Sequence, residues 1–230
     1  MTDSPEPARR PTRDIRGVMG GTRLLDQPRY RAEVDRWRAF LATPGPALLE
    51  IGFDHGRRLT ATADAHRAWR IAGLEVRERR VEEATAWAQT RGLDNLLAWR
   101  VDARGVLANH TPEARFQVIE ALFPVPWDGG PTDPRLLIDR PWLDDAARAL
   151  APGGVLHIAT DVAWYAAHID ALLDGASPFT RDPGAASDRP PIDALSRREW
   201  RCAREGVPIY RWWLRRTPRA LASPAATSEA

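Results

Sequence analysis

The stretch that most constrains the fold is Leu48–Gly56 (LLEIGFDHG), an apolar run that ends in a loop with two glycines. A strand that stops abruptly and leads into a helix needs residues that tolerate a tight turn, and Gly52 and Gly56 meet that need. The pattern predicts the first strand and turn of an α/β sheet. Such a turn is either purely structural or part of a site for a nucleotide-like ligand, and Asp54, in place of a middle glycine, leaves both open.

Acidic residues at the ends of the next two predicted strands favour a ligand site. Glu75 ends the second apolar run, 19 residues after Gly56, and Asp102 follows the third. A carboxylate at the position of Glu75 accepts hydrogen bonds from ribose hydroxyls. With Glu50 and Gly52, these acids predict one rim at the strand ends. Because carboxylates repel phosphate, the rim favours a cationic, ribose-bearing ligand without phosphates, such as S-adenosylmethionine.

Strands and helices alternate along the chain, which predicts a doubly wound, mostly parallel sheet. The last predicted strand follows a connection too short for a parallel crossover, so we expect an antiparallel edge strand. We expect the folded domain to span residues 28–217, with disordered, polar segments at 1–27 and 218–230. The predicted strands are 47–53, 69–75, 96–101, 116–123, 155–160 and 207–216, and the predicted helices are 28–41, 57–67, 78–91, 142–150, 162–173 and 196–204.

The basic residues are 33 arginines with no lysine, and they are concentrated near the ends of the chain. Residues 189–219 carry nine arginines against three acids. This distribution indicates a polyanionic partner such as nucleic acid. The alternative is that these arginines are ordinary solvated surface cations, for which the sequence uses arginine instead of lysine. A single cysteine, Cys202, excludes an intrachain disulfide, and with no apolar run long enough for a membrane span we expect a cytoplasmic protein. The five histidines have no metal-ligand spacing, so no metal site is predicted.

From about residue 47 to residue 212 the chain resembles the tRNA (guanine-N7)-methyltransferase family. Two elements are specific to it: Phe123-Pro124-x-Pro126-Trp127, and Ser196-x-x-Glu199 before the last strand. The supporting stretches are Leu49–Phe53, Gly73–Val76, Gly92–Asn95, Asp102–Ala103, Leu150-x-Pro152-Gly153-Gly154 and Ala159–Asp161. The resemblance implies a Rossmann-like class I methyltransferase fold, a seven-stranded, mostly parallel doubly wound α/β sheet with an antiparallel last strand.

The resemblance also assigns roles to residues. Those expected to bind S-adenosylmethionine are Glu50, Gly52, Gly56, Glu75, Asp102 and Ala103. Those expected on the guanosine side are Asp161, which is also the candidate catalytic residue, Ser196 and Glu199, and Arg135 is expected to bind RNA phosphate. Asp161 could instead cap the following helix, and Ser196 with Glu199 could form a capping box. We expect a monomer or weak homodimer that acts on tRNA.

Three departures from the family pattern bear on the substrate. Val125 stands where the family has an aspartate beside cofactor and target base. The basic run after Trp127 is replaced by a Gly- and Pro-rich loop that keeps only Arg135. Ser196 replaces a threonine and follows an apparent insertion. Two alternatives therefore stay open: a relative that N-methylates a small heteroaromatic metabolite, and a catalytically weak RNA-binding relative.

Overall fold

The computed structural model describes residues 28–175, 177–192 and 194–217. The predictions for 1–27 and 218–230 lie outside these residues. The strands are β1 (Ala47–Ile51), β2 (Arg70–Glu75), β3 (Leu96–Arg100), β4 (Phe116–Leu122), β5 (Leu150–Thr160), β6 (Phe179–Arg181) and β7 (Tyr210–Arg216). The helices are α1 (Pro28–Ala42), α2 (Arg57–Ala65), α3 (Glu78–Thr90), α4 (Ala103–His110), α5 (Arg140–Ala149), α6 (Ala163–Leu173) and α7 (Arg197–Glu205).

The strands form one seven-stranded sheet in the order β3-β2-β1-β4-β5-β7-β6. Strands β1 to β5 are parallel, and β7 is antiparallel to both β5 and β6. The order reverses between β1 and β4, and at such a switch point the carboxyl ends of the strands leave a crevice for a ligand. The predicted fold class is therefore confirmed.

Each face of the sheet is covered by helices. The larger core lies on the face of α1, α4, α5 and α6, where Trp37, Trp142 and Tyr165 are fully buried. On the other face, α2 and α3 pack over β1 to β3 through a smaller cluster that includes Phe53 and Leu59. Within the described residues, no helix is both long enough and apolar enough to cross a membrane.

The glycine loop after β1 adopts left-handed backbone at three alternate positions. The φ angles are 75° at Gly52, 51° at Asp54 and 70° at Gly56. Aspartate is one of the few residues with a side chain that tolerates this region, which explains how Asp54 replaces a glycine. A Cβ on Gly56 would lie 2.5 Å from the Cβ of Ala84, so this glycine also permits α3 to approach the loop.

Four elements differ from the sequence-based expectations. Helix α4 and the short strand β6 were not predicted, because α4 is brief and contains Gly105 while β6 has only three residues. Strand β7 is antiparallel as predicted, but it lies between β5 and β6 rather than at the edge. Strand β5 begins at Leu150, directly after α5, and includes the Pro152–Gly154 segment that was expected to separate them.

Candidate active site

The carboxyl ends of the parallel strands bring the predicted cofactor residues to one edge of the sheet. Glu50 is the penultimate residue of β1, Glu75 ends β2, and Asp102 follows β3. The β1 register places Glu50 beside Gly73 of β2. Because the strands are parallel and neighbouring, these three carboxylates share the rim that the sequence predicted.

The Glu75 carboxylate is fixed in orientation by its own turn. Its Oε1 atom accepts hydrogen bonds from the backbone amides of Val76 (2.8 Å) and Arg77 (3.0 Å). Arg80 lies 3.4 Å from Oε2 and also pairs with Asp54 of the glycine loop at 2.5 Å. Arg80 thus links the end of β2 to the loop after β1, across the rim, and its 3.4 Å contact with Oε2 is longer than the two backbone bonds to Oε1.

Asp102 acts as the N-cap of α4. Its Oδ1 atom accepts from the backbone amide of Arg104 at 3.0 Å, and Ala103 begins the helix. An N-cap carboxylate is held in one geometry by this bond. Asp102 therefore presents a fixed acceptor at the third position of the rim.

Glu50 belongs to a row of polar side chains that crosses the sheet. The strand register pairs Glu50 with Glu120 and Glu120 with His157. Arg58 of α2 donates to both oxygens of Glu120, at 2.5 Å and 2.9 Å, and lies 3.6 Å from Glu50. Arg189 also donates to Glu120, at 2.6 Å. All five side chains are buried, and we refer to them together as the polar floor of the site.

The two carboxyl groups of this floor differ in pKa. Burial raises the pKa of Glu50 to about 7, because the more distant Arg58 only partly offsets desolvation. Burial also opposes ionisation of Glu120, but Arg58, the hydrogen bond with His157 and Arg189 outweigh it and hold its pKa well below the usual value. Glu120 is thus held in its ionised form by its partners. The Oε2 atom of Glu50 accepts no hydrogen bond, so a nearby cation would favour the ionised form of this residue.

Asp161 follows β5 and is held by α7 rather than capping α6. The N-cap of α6 is Val162, whose amide donates to Thr160, so the capping alternative for Asp161 is wrong. Two nitrogens of Arg198 donate to Oδ2 of Asp161, the Nε atom at 2.9 Å. The Cys202 thiol lies 3.7 Å from the same oxygen.

Ser196 and Glu199 form the capping box that begins α7. The Ser196 hydroxyl accepts from the Glu199 amide at 3.1 Å, and the Glu199 carboxylate accepts from the Ser196 amide at 2.8 Å. Burial opposes ionisation of Glu199, but these bonds to Ser196 and the charge of Arg211, at 2.9 Å, lower its pKa. The capping alternative is confirmed, and a role on the guanosine side stays a prediction.

The loop after β4 presents an apolar residue and a neutralised arginine. Val125 is 53% exposed. Arg135 forms a bidentate ion pair with Asp133, at 3.0 Å and 2.7 Å. Its guanidinium also lies over the Trp127 ring, 4.4 Å from the ring centre. The arginine that was expected to bind RNA phosphate is therefore engaged within its own loop.

Sequence reasoning did not indicate which arginines pair with the carboxylates at this edge. Arg58, Arg80, Arg189 and Arg198 each bind carboxylates of the rim or the floor. One sequence feature could have indicated them: Glu120 is a charged residue inside an otherwise apolar strand, and a buried carboxylate requires a cationic partner. Which arginines supply it depends on chain segments 62 and 69 residues away.

The residues at this edge fit S-adenosylmethionine. Gly52 has a positive φ, and no atom lies within 4 Å of where its Cβ would be, so the backbone is open to a ligand. The Glu75 carboxylate is an acceptor of the kind that ribose hydroxyls require, and Glu50, 3% exposed, has one oxygen without a hydrogen bond, 3.6 Å from Arg58. Among the described residues, no three His, Cys, Asp or Glu side chains are grouped as ligands for a metal ion.

Comparison with known proteins places the chain in a methyltransferase family. The sequence model of a family described as "Putative methyltransferase" matches residues 44–212. A tRNA (guanine-N(7)-)-methyltransferase of Sodalis glossinidius is 34% identical over 79% of this chain and 77% of that protein. A protein of the same name from Methylococcus capsulatus is 35% identical over 72% of each chain.

The solved structures show the same architecture at lower sequence identity. The aminoglycoside resistance methyltransferase NpmB1 superposes with a TM-score of 0.55 and 16% identity, covering 80% of this chain and 93% of that one. At such identity the likeness concerns the fold alone.

Proposed function

The chain belongs to the tRNA (guanine-N(7)-)-methyltransferase family and is an S-adenosylmethionine-dependent methyltransferase, and we propose that it methylates N7 of a guanosine in the variable loop of tRNA. One observation supports the substrate most strongly. The acids of β1 to β3 share an edge of the sheet with Asp161, Ser196 and Glu199, the residues that the family resemblance places on the guanosine side.

In the proposed site, Glu75 holds the ribose, Asp102 and Ala103 lie beside the adenine, and Glu50 with Gly52 holds the methionine end. When bound, S-adenosylmethionine supplies an electrophilic methyl group on a sulfonium sulfur. Guanine N7 accepts that methyl through a lone pair, so no proton has to be removed and the purine becomes cationic. The protein therefore has to position the base and stabilise its developing charge.

Asp161 is the group we assign to that charge. Its Oδ2 atom is occupied by Arg198, which fixes the carboxylate at the end of β5, and Oδ1 is left for the purine. The capping box keeps Ser196 and Glu199 in one geometry beside it. These contacts preorganise an anionic wall for the guanine before any substrate arrives.

The alternative substrate, a small heteroaromatic compound, is favoured by the loop after β4. Val125 and the Asp133-paired Arg135 offer little charge to an RNA phosphate or to a guanine edge. The two substrates are separated by one assay: transfer of a labelled methyl group to unmodified tRNA, followed by nucleoside mass spectrometry. 7-Methylguanosine in the variable loop supports our proposal, and an absence of transfer to tRNA by cofactor-binding protein contradicts it in favour of the small molecule.

A further inference from the structure

The outer face of α7 carries an aromatic residue between two arginines. Arg197, Trp200 and Arg204 are spaced i, i+3 and i+7, so they form one stripe along the helix. All three are exposed, and Trp200 is 54% exposed. The Arg204 guanidinium lies 4.6 Å from the centre of the Trp200 ring. This stripe has the composition of a surface that binds single-stranded nucleic acid.

Helix α7 holds the stripe rigidly against the active-site edge. Its inner face buries Glu199 and Cys202. Arg198 ties it to Asp161, and Arg197 lies 3.4 Å from His55 of the glycine loop. Trp200 is thus one helical turn from residues that contact both the cofactor loop and the proposed guanosine site.

Most arginines near the stripe are already paired, which limits what charge alone can do. Arg201 and Arg204 both pair with Glu205, at 3.2 Å and 3.0 Å. Among the described residues, no carboxylate lies within 4.0 Å of Arg197. With few unpaired cations available, the exposed indole becomes the largest contact surface that the helix offers.

We propose that Trp200 stacks on an unpaired base of the RNA substrate next to the methylated guanosine, through the ring face that Arg204 does not cover, while Arg197 contacts a neighbouring phosphate. This inference rests on the proposed function. A nucleobase fits better than an apolar protein or lipid partner, because the indole is bordered by guanidinium groups on both sides along the helix.

The test compares four variants of the full chain: Trp200→Ala, Trp200→Leu, Trp200→Phe and, as the matched control, Trp87→Ala. Trp87 is also exposed, at 39%, but lies near the far end of α3. We measure tRNA dissociation constants over a range of salt, KM and kcat for tRNA, and S-adenosylhomocysteine affinity by calorimetry, which reports whether each variant is folded.

We expect Trp200→Ala and Trp200→Leu to raise the tRNA dissociation constant and KM about 5- to 150-fold, the range for loss of one base stack. Trp200→Phe should restore most of the affinity, and Trp87→Ala should behave as the parent. The slope of affinity against salt should not change, since no cation is removed.

Two outcomes overturn the inference. If the parent methylates tRNA and Trp200→Ala binds it equally well, or Trp200→Leu retains parental affinity, base stacking is wrong while the proposed function stands. If the parent binds cofactor but neither binds nor methylates tRNA, the proposed function fails, and this inference fails with it.

Discussion

Arg198 donates two hydrogen bonds to a single oxygen of Asp161, and in doing so fixes a helix of the C-terminal segment to the end of β5. A residue predicted to bind substrate is therefore oriented by an arginine whose partner the sequence did not indicate. Because Oδ1 of Asp161 is not used by Arg198, the carboxylate can serve the helix and a purine together.

We first predict how Asp161 and Arg198 are coupled. Asp161→Asn keeps the shape but removes the charge, so kcat/KM for tRNA should fall about 10- to 100-fold. Arg198→Gln should lower kcat/KM by a smaller factor. The double variant should lose no more kcat/KM than Asp161→Asn, because Arg198 acts through that carboxylate. Steady-state methyl transfer measures all four proteins. Additive losses would show that Arg198 contributes independently.

A second prediction concerns the cofactor. Glu75→Ala should weaken S-adenosylmethionine and S-adenosylhomocysteine binding by about 1.5 to 3 kcal/mol, because a charged acceptor of hydrogen bonds is lost. Glu78→Ala, three residues on and exposed, is the control. Isothermal titration calorimetry measures both. Unchanged affinity in Glu75→Ala would remove Glu75 from the site.

Val125 offers a third test. Val125→Asp should raise guanine-N7 methylation of tRNA about ten-fold or more if tRNA is the substrate, since an anion near the cationic sulfur and purine stabilises both. Val125→Asn introduces a side chain of the same size as aspartate but without charge, so it should raise the methylation of tRNA much less. If both proteins stay at the parental rate on tRNA while Val125→Asp loses activity on a heteroaromatic compound, the small-molecule alternative is correct.

The fourth prediction separates charge from stacking. Replacing Arg197 by glutamine should flatten the slope of log affinity for tRNA against log salt by about one unit. Arg36 is also exposed and lies away from the active-site edge, so Arg36→Gln should leave the slope unchanged. Equal slopes in all three proteins would place the RNA elsewhere.

The fifth prediction follows from the raised pKa of Glu50. Its folded-state pKa of about 7 exceeds the ordinary 4.5, so between these pH values the folded protein binds more protons than the unfolded chain. This group therefore contributes less stability as pH rises from 4.5 to 7. Across that range, the free energy of unfolding of Glu50→Gln should increase relative to that of the parent, by up to about 3 kcal/mol.

Urea unfolding at pH 5 and pH 8 measures this difference. The pKa of His157 is lowered, mainly by burial, so it has the opposite effect near pH 6. Because His157 is common to both proteins, its effect cancels in the comparison. If the difference in free energy of unfolding between Glu50→Gln and the parent is the same at both pH values, the raised pKa of Glu50 is contradicted.

Local chemistry explains which parts of the fold were predictable. The glycine loop, the acids at the ends of β2 and β3, and the capping box of α7 are each encoded within a few residues, and the structure contains all of them. The position of β7 was wrong because strand order depends on pairing between distant segments, and β6 is too short to be recognised from its sequence.

The same distinction applies to the active site. The sequence indicated Glu50, Glu75, Asp102 and Asp161 by their place after apolar runs. It could not indicate their partners, because the sequence pattern around an arginine on a helix surface is the same whether its side chain contacts solvent or a buried carboxylate. The pairing of Glu120 with Arg189 across 69 residues is a property of the folded chain alone.

The placement of β7 between β5 and β6 has a consequence for synthesis in the cell. The six residues of β5 that pair with β7 end at Thr160, and β7 is complete only at Arg216, 56 residues later. At about 5 to 20 residues per second, the ribosome needs about 3 to 11 s to supply the missing neighbour. During that interval the nascent chain presents an apolar, unpaired strand, a template for pairing with other chains. Translation speed over the codons for residues 161–216 should therefore influence how much of the enzyme escapes aggregation.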